Sequence, residues 1–428
     1  MLGMVSPSDM LKGTNGDFVS TIMQDIGDLD FNIFYFYVEW LNEIMPLAMT
    51  VAHQIKKINK QVKILMGGAY GERYGKEIIE KFKFIDYIAA SQDLLPIFET
   101  LLKGPPQSSE IPNIFYFDTA KDQPVETKRQ AVIWDELPYP DFDLFYGKKE
   151  SDSKILPFRL SRGCKYTCFF CILGGKLSYY KNIDGVVSHI EECKKKHHVE
   201  NFYFEDAALN FNNKYLEEFI DKLIERNLNI RWSSYFIAQN LSLTMIKKIR
   251  LSGCIHIRWG IETVEPSFAK KIAKNLKIVE VEEILKRSSE MGIANQVSFI
   301  VGFPHETTEA IEKMKRFILK NKKFLDVVNI YIFKPRRGTL THDSPERYGI
   351  RILDNQPLFE KDLVPFDEIN GQRWIEKRSM QKIFYKNVSA VIRESDLIDV
   401  DPQEFFKSQV LNEYGAFSSK QRRAFACH

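Results

Sequence analysis

Several things are scarce in this sequence, and each scarcity narrows what the chain can be. No apolar run approaches the ~20 residues that a membrane span requires; the candidate stretch FNIFYFYVEW at 31–40 is far too short. The opening residues, MLGMVSPSDM, lack the basic segment and apolar run of a secretory signal, so a cytoplasmic location is expected and no membrane partner. Excess charge of one sign is also missing. The formal net charge is only +3, which implies no polyanionic partner and argues against nucleic acid. Cysteines number six in 428 residues, and a disulfide framework is not expected in a long cytosolic chain. Internal repeats and low-complexity segments are absent. What remains is an ordinary composition and a length that suits two or three domains.

The hydrophobic pattern alternates between strand and helix. Residues 31–38 read as a strand, 41–58 as a helix and VKILMGG (62–68) as a strand. Another short strand lies within 79–90, and 94–102 reads as a helix, the pattern of a parallel sheet covered by helices. The segments 103–112 and 135–145 are rich in turn residues and proline, and the second is expected to be a linker. From 155 the alternation restarts, with strands expected at 155–163, 201–206, 230–236, 254–262, 296–303 and 326–334. Helices are expected between them, including one helical stretch across 267–291. Six such units suit a parallel barrel or part of one. Residues 366–394 and 402–411 look helical, and the basic tail SSKQRRAFACH looks mobile.

Half of the cysteines fall in SRGCKYTCFFC, at 164, 168 and 171, directly after the first of these strands. A structural zinc site closes four ligands, from paired C-x2-C knuckles or from one knuckle with two histidines. Here there is no second knuckle, His189 lies far downstream on an expected helix, and Cys193 and Cys254 are isolated. Three thiolates on one loop suit a four-iron cluster with one iron left open to chelate a small molecule.

The spacing Cys164-x3-Cys168-x2-Cys171, with the aromatic Phe170 before the last cysteine, closely resembles the signature of the radical S-adenosylmethionine (SAM) superfamily. The resemblance extends over about 155–340. NFYFEDAALNFN is similar to the second-strand motif that meets the methionine amino group, which makes Glu205 and Asp206 candidates. IRWGIET resembles the fourth-strand element, in which Arg258 and Glu262 would reach the cofactor carboxylate and ribose. SFIVGFPHET resembles the fifth-strand element that packs on adenine, bringing in Ser298 and Gly302. FKPRRGTLTH resembles the sixth-strand end. The resemblance implies a [4Fe-4S] cluster and S-adenosylmethionine. It also implies reductive cleavage to a 5′-deoxyadenosyl radical that abstracts a substrate hydrogen, and an outside reductant such as a flavodoxin or ferredoxin.

Residues 31–102 resemble the second half of the cobalamin-binding domain that precedes many such enzymes. The usual Asp-x-His-x-x-Gly motif is missing, since the only histidine before residue 150 is His53 in VAHQIK. Some relatives hold cobalamin without that ligand, so cobalamin stays an open reading. The fold expected is therefore α/β: a truncated cobalamin-binding-like domain at 1–134, a linker at 135–154, a partial (β/α)6 radical SAM barrel at 155–345 and a mostly helical, substrate-proximal region at 346–428. Cys254 is expected to be a buried strand residue and Cys193 exposed and idle. Peptide epimerases of the superfamily return hydrogen from a cysteine thiol, and Cys427 and Cys254 are the candidates for that donor. Too few cysteines remain for an auxiliary cluster. The favoured expectation is Cα epimerisation of a ribosomally made precursor peptide; the alternative is a cobalamin-dependent methyltransferase. A transfer-RNA methylthiotransferase ranks lower, because the N-terminal cluster cysteines of that group are absent.

Overall fold

The alternating pattern resolves, in a computed structural model, into two compact units: residues 1–133 with 354–364, and residues 134–353 with 365–428. The structure describes residues 32–38, 44–143, 155–272 except 174, 274, 276–353 and 364–394. Cys427 and the expected helix at 402–411 lie outside the described residues. No helix among those described is long and apolar enough to cross a membrane.

The first unit carries a five-stranded sheet. Strands β1 (Ile33–Tyr37), β2 (Lys63–Gly67) and β3 (Tyr87–Ala89) pair in parallel, with Leu65 between Tyr35 and Tyr87. Both faces of β2 are covered: Ile64 and Met66 join one apolar cluster and Leu65 another. That is why VKILM reads as a continuous apolar run rather than an alternation. Helices Ile44–Ile58, Ala69–Lys81 and Leu95–Leu102 follow the three strands. The sheet then continues in an antiparallel hairpin, β4 (Ile114–Asp118) and β5 (Gln123–Glu126). Neither strand was among those expected: β5 is polar, and β4, although apolar, lies outside the strand–helix alternation.

The second unit is built on six parallel strands in the order β6-β9-β10-β11-β12-β13. These are β6 (Ile155–Phe158), β9 (Asn201–Phe204), β10 (Arg231–Phe236), β11 (Cys254–Glu262), β12 (Ala294–Val301) and β13 (Val327–Ile332). A small antiparallel hairpin, β7 (Ser161–Cys164) with β8 (Lys176–Tyr180), follows β6 and carries the cysteine loop. The expected strand at 155–163 is thus two strands with a corner between them. Alternate side chains of the sheet, among them Phe202, Phe204, Trp232, Phe236, Trp259, Val297 and Phe299, pack with the surrounding helices into one core. Helix Asn213–Glu225 shows the logic. Leu216, Phe219, Ile220 and Leu223 share one face and are buried, each worth about 1.5–3 kcal/mol. Asn212 caps its start by accepting from the backbone N–H of Lys214 and Tyr215.

Three further expectations change. The stretch 267–291 is two helices, Pro266–Lys271 and Ile278–Glu290, with Lys274 in the break. Residues Phe366–Glu368 form a strand, β15, antiparallel to β14 (Ile350–Ile352), before helix Trp374–Glu394 begins. Cys193 is not exposed: it is 2% accessible, in the core under helix Ile183–His197, with its Sγ 3.6 Å from His189 Nε2.

Candidate active site

Parallel strands place functional groups at their C-terminal ends, and the cysteine loop sits beyond the end of β6. Asp206, just past β9, holds the hairpin in place. Its carboxylate accepts the backbone N–H of Leu160 (3.1 Å) and Ser161 (2.6 Å) and the Ser161 hydroxyl. Asp206 is fully enclosed, and burial raises its pKa to about 6 against the lowering effect of those hydrogen bonds. The resemblance assigns Asp206 to cofactor binding, but its oxygens are committed to the hairpin and it acts as a positioning residue. Within the loop, Cys171 N–H donates to Cys168 O (3.0 Å) and Gly175 N–H to Tyr166 O (2.7 Å). Lys165 Nζ donates to Phe211 O (2.6 Å), and Gln239 Nε2 donates to the Tyr166 hydroxyl (2.5 Å), tying the loop to the ends of the neighbouring strands. Behind it, Phe169 and Phe170 pack on Phe303, in an aromatic cluster with Phe268, Phe333 and Phe366.

Cys164 and Cys168 are buried and Cys171 is partly exposed. Burial pushes the Cys164 thiol up and the Cys168 thiol up to about 12. Such thiols give up their protons when a metal replaces them. Among the described residues no three His, Cys, Asp or Glu side chains converge on one metal ion, whereas a four-iron cluster takes each thiolate on a separate iron. Three thiols on one backbone-anchored loop, two buried and one partly exposed, fit that group.

The inner face of β11 supplies Arg258, Gly260 and Glu262 in alternation. Glu262 ends the strand at φ +65°, a left-handed conformation that costs a non-glycine residue about 1–3 kcal/mol and gathers at functional sites. Its Oε1 receives Lys274 Nζ at 2.8 Å, and the same ammonium donates to Gly260 O at 2.9 Å. A Cβ at Gly260 would lie 2.8 Å from Lys274 Nζ and 2.9 Å from Glu262 Oε1, so glycine alone leaves room for this pair. Although burial opposes its charge, Glu262 and the neighbouring thiols raise the pKa of Lys274. Sequence reasoning missed Lys274, because nothing in KKIAKNLK separates it from the adjacent lysines.

The other candidates divide. Glu205 is half-exposed at the mouth, 3.5 Å from Arg159 Nη2. Ser298 lies on the inner face of β12, its hydroxyl 3.4 Å from Trp259 O. Gly302 (φ +89°) follows β12 and donates its N–H to the buried carboxylate of Glu306 at 2.5 Å. Arg258 does not rise toward the mouth. It runs across the sheet, stacking 3.7 Å from the Tyr235 ring centre on β10 and donating to the Tyr203 hydroxyl on β9 at 2.7 Å. Cys254 is the first residue of β11, 0% exposed, its Sγ against His256 O (3.5 Å). That is the opposite end of the strand from the cysteine loop, and burial raises its pKa strongly. It is a packed core thiol and cannot return hydrogen to a substrate at the mouth.

The Radical SAM superfamily model matches residues 158–318. Those residues are a radical SAM domain. The chain is 26% identical over 304 residues to an uncharacterised methyltransferase of Pyrococcus horikoshii, covering 68% of this chain and 65% of that protein. It is 23% identical over 271 residues to the anaerobic magnesium-protoporphyrin IX monomethyl ester cyclase of Rubrivivax gelatinosus, covering 60% and 49%. The chain thus spans about half to two-thirds of the length of these relatives. Among solved structures, the radical SAM methyltransferase TsrM of Kitasatospora setae, with cobalamin and a [4Fe-4S] cluster bound, superposes with a TM-score of 0.62 at 14% identity, over 81% of this chain and 71% of that one.

The first unit's own residues offer two features where a corrin would be held, His53 and the glycine turn at the end of β2. His53 packs on Phe84 (ring centres 4.9 Å apart) with Nδ1 enclosed, and burial lowers its pKa. The glycine turn after β2 is filled by the protein itself: a Cβ at Gly67 would meet the Tyr35 hydroxyl at 2.5 Å, and one at Gly68 (φ +93°) the Val38 carbonyl at 2.4 Å. Among the described residues neither feature fits a corrin.

Proposed function

We propose that this chain is a radical SAM methyltransferase acting on a small organic substrate. The observation that carries the radical chemistry is the anchored three-cysteine loop at the C-terminal end of a six-stranded parallel sheet. Methyl transfer is supported by the relatives, of which the first described above and a bacteriochlorophyllide d C-12(1)-methyltransferase of Chlorobaculum tepidum (26% identical over 199 residues) carry that name. Cα epimerisation loses one of its two candidate donors, because Cys254 is sealed at the wrong end of its strand; the other, Cys427, lies outside the described residues, and the relatives support methyl transfer instead.

Cys164, Cys168 and Cys171 would hold the [4Fe-4S] cluster, and the cluster with S-adenosylmethionine supplies one-electron cleavage of a sulfonium and a methyl group. The chain's own residues do the rest. Asp206 fixes the hairpin that aims the loop. Lys274 places a buried positive charge beside the thiolates, and Glu262 holds that ammonium against the Gly260 carbonyl. Glu205, Ser298 and Gly302 line the mouth where a cofactor's amino group and adenine would lie. The Phe169–Phe303 cluster keeps water from the back of the loop.

The test is anaerobic purification of the full chain and of Cys168→Ala, followed by reduction with S-(trideuteromethyl)adenosylmethionine and a metabolite extract of the source cells. The parent should carry the iron–sulfur absorbance, form 5′-deoxyadenosine or S-adenosylhomocysteine, and pass the labelled methyl group to a product; the variant should do none of these. An iron-free parent, or a changed product that never carries the label, overturns the reading. Adding hydroxocobalamin during expression and recording the corrin spectrum decides separately whether cobalamin takes part.

A further inference from the structure

Arg258 is a guanidinium on the inner face of the barrel that forms no ion pair among the described residues. Among the described residues its polar contacts are one hydrogen bond to the Tyr203 hydroxyl (2.7 Å) and the stack on Tyr235 (3.7 Å). It is only partly exposed. A guanidinium has five donors, so one bond leaves most of the fork unused. Placing such a charge among neutral partners costs free energy unless an anion arrives. Packing alone would be served by a leucine or methionine.

The register shows where the fork lies. Arg258 is level with Tyr235 on β10, whereas Tyr203 on β9 is level with Ser233, nearer the strand starts. The side chain therefore lies over β10 along the floor of the site rather than rising toward Glu262, and the Tyr203 side chain reaches in from β9 to meet it. Glu262 ends the strand four residues on, ~13 Å further toward the mouth. Beneath the fork the barrel is closed by neutral groups: the Ser233 hydroxyl shares a hydrogen bond with His256 Nδ1 (2.7 Å), and burial followed by the charge of Arg258 lowers the His256 pKa to about 3. Gly260, between Arg258 and Glu262 on the same face, is itself partly exposed. The floor thus presents one stacked, aimed guanidinium above a neutral plug, and the two charged pairs toward the mouth, Lys274–Glu262 and Arg159–Glu205, are each closed on themselves.

We infer that Arg258, held by Tyr203 and Tyr235, is the receptor for an oxyanion of the substrate, a carboxylate or a phosphate ester, which enters the barrel anion first. A planar fork that is stacked in advance suits bidentate binding of either group. The reacting carbon would then lie on the mouth side, toward the cysteine loop. This rests on the proposed function only for the direction in which the reacting carbon points; the anion site itself can be tested without turnover.

The probes are benzoate and phenyl phosphate, with benzyl alcohol as the neutral control, titrated by saturation-transfer NMR into the full-length, cluster-reconstituted protein. The parent should bind one of the two anions and not the alcohol, and the favoured anion names the class. Arg258→Met should weaken that binding at least about tenfold, or ~1.4 kcal/mol; Arg258→Lys, a point charge without the fork, should weaken it less; Tyr203→Phe should fall between. S-adenosylhomocysteine should retain its affinity in Arg258→Met, a readout that separates a substrate receptor from a cofactor ligand. Equal loss of both ligands, unchanged anion binding in Arg258→Met, or no anion binding by the parent overturns the inference. Failure of methyl transfer in the labelling experiment, with anion binding intact, would overturn the proposed reaction and leave this site standing.

Discussion

Glu306 and Asp206 are carboxyls whose surroundings oppose their charge, and both are tied to loops at the C-terminal ends of the barrel strands. Burial raises the Glu306 pKa to about 7 against the help of the Gly302 N–H, and its Oε1 has no partner among the described residues. Because the folded pKa lies above the unfolded value, the folded state binds the extra proton between roughly pH 4.5 and 7, and stability contributed by that proton is lost as pH rises through this window. Glu306→Gln lacks the proton site, so its stability relative to the parent should climb across that interval and level off above it, by on the order of 3 kcal/mol. Urea titrations at several pH values check this, and a flat difference would refute it. Asp206 is held by more partners, and removing it has a different consequence. Asp206→Ala strands two buried backbone N–H groups and the Ser161 hydroxyl. It should cost about 2–5 kcal/mol and lower the iron retained per chain after reconstitution. The sequence placed both an acid at 206 and cysteines at 164–171, but which acid braces the loop and which faces the mouth is set by side-chain direction. Glu205 and Asp206 are neighbours in sequence and point to opposite faces of the sheet's end.

The elements were read most surely where they are long and periodic. Apart from the corner after β6 and the break after Lys271, the barrel strands and the helices between them lie where the alternation put them, because each buries a strip of apolar residues that sequence spacing exposes directly. Elements without such a strip went unseen. The β5 strand and the β7–β8 hairpin are short and partly polar; β4, although apolar (IFYFD), lies outside the strand–helix alternation; and β15 was absorbed into the helix that follows it. The break between helices Pro266–Lys271 and Ile278–Glu290 was missed for the same reason, and it delivers Lys274 to the site. Lys274→Met should leave the Glu262 carboxylate enclosed without its partner, costing about 3–5 kcal/mol. Lys274→Arg should recover part of that stability. Thermal unfolding of the two variants beside the parent decides it; a Met variant as stable as the parent would mean that Glu262 has another partner.

For the molecule as a whole, the second unit is closed by its own C-terminal part. Lys377, fully buried in helix Trp374–Glu394, reaches Glu368 Oε1 (2.6 Å) and the Phe303 carbonyl (2.7 Å), and Glu368 also accepts the N–H groups of His305 and Gln372. This network binds the loop after β12 to β15 and the last described helix. Lys377→Met should destabilise the unit by roughly 3–5 kcal/mol and open 364–394 to limited proteolysis, and pairing it with Glu368→Gln should cost less than the two changes summed. By itself the sequence determined the barrel, the cysteine loop and the class of chemistry, since apolar period and cysteine spacing are local along the chain. Tertiary structure alone decided that Cys254 is sealed away from the mouth, that Asp206 is a brace, that Lys274 closes on Glu262 and that Arg258 lies across the barrel floor. Those outcomes depend on strand register and on which face a side chain takes, and both are fixed only when distant segments pair.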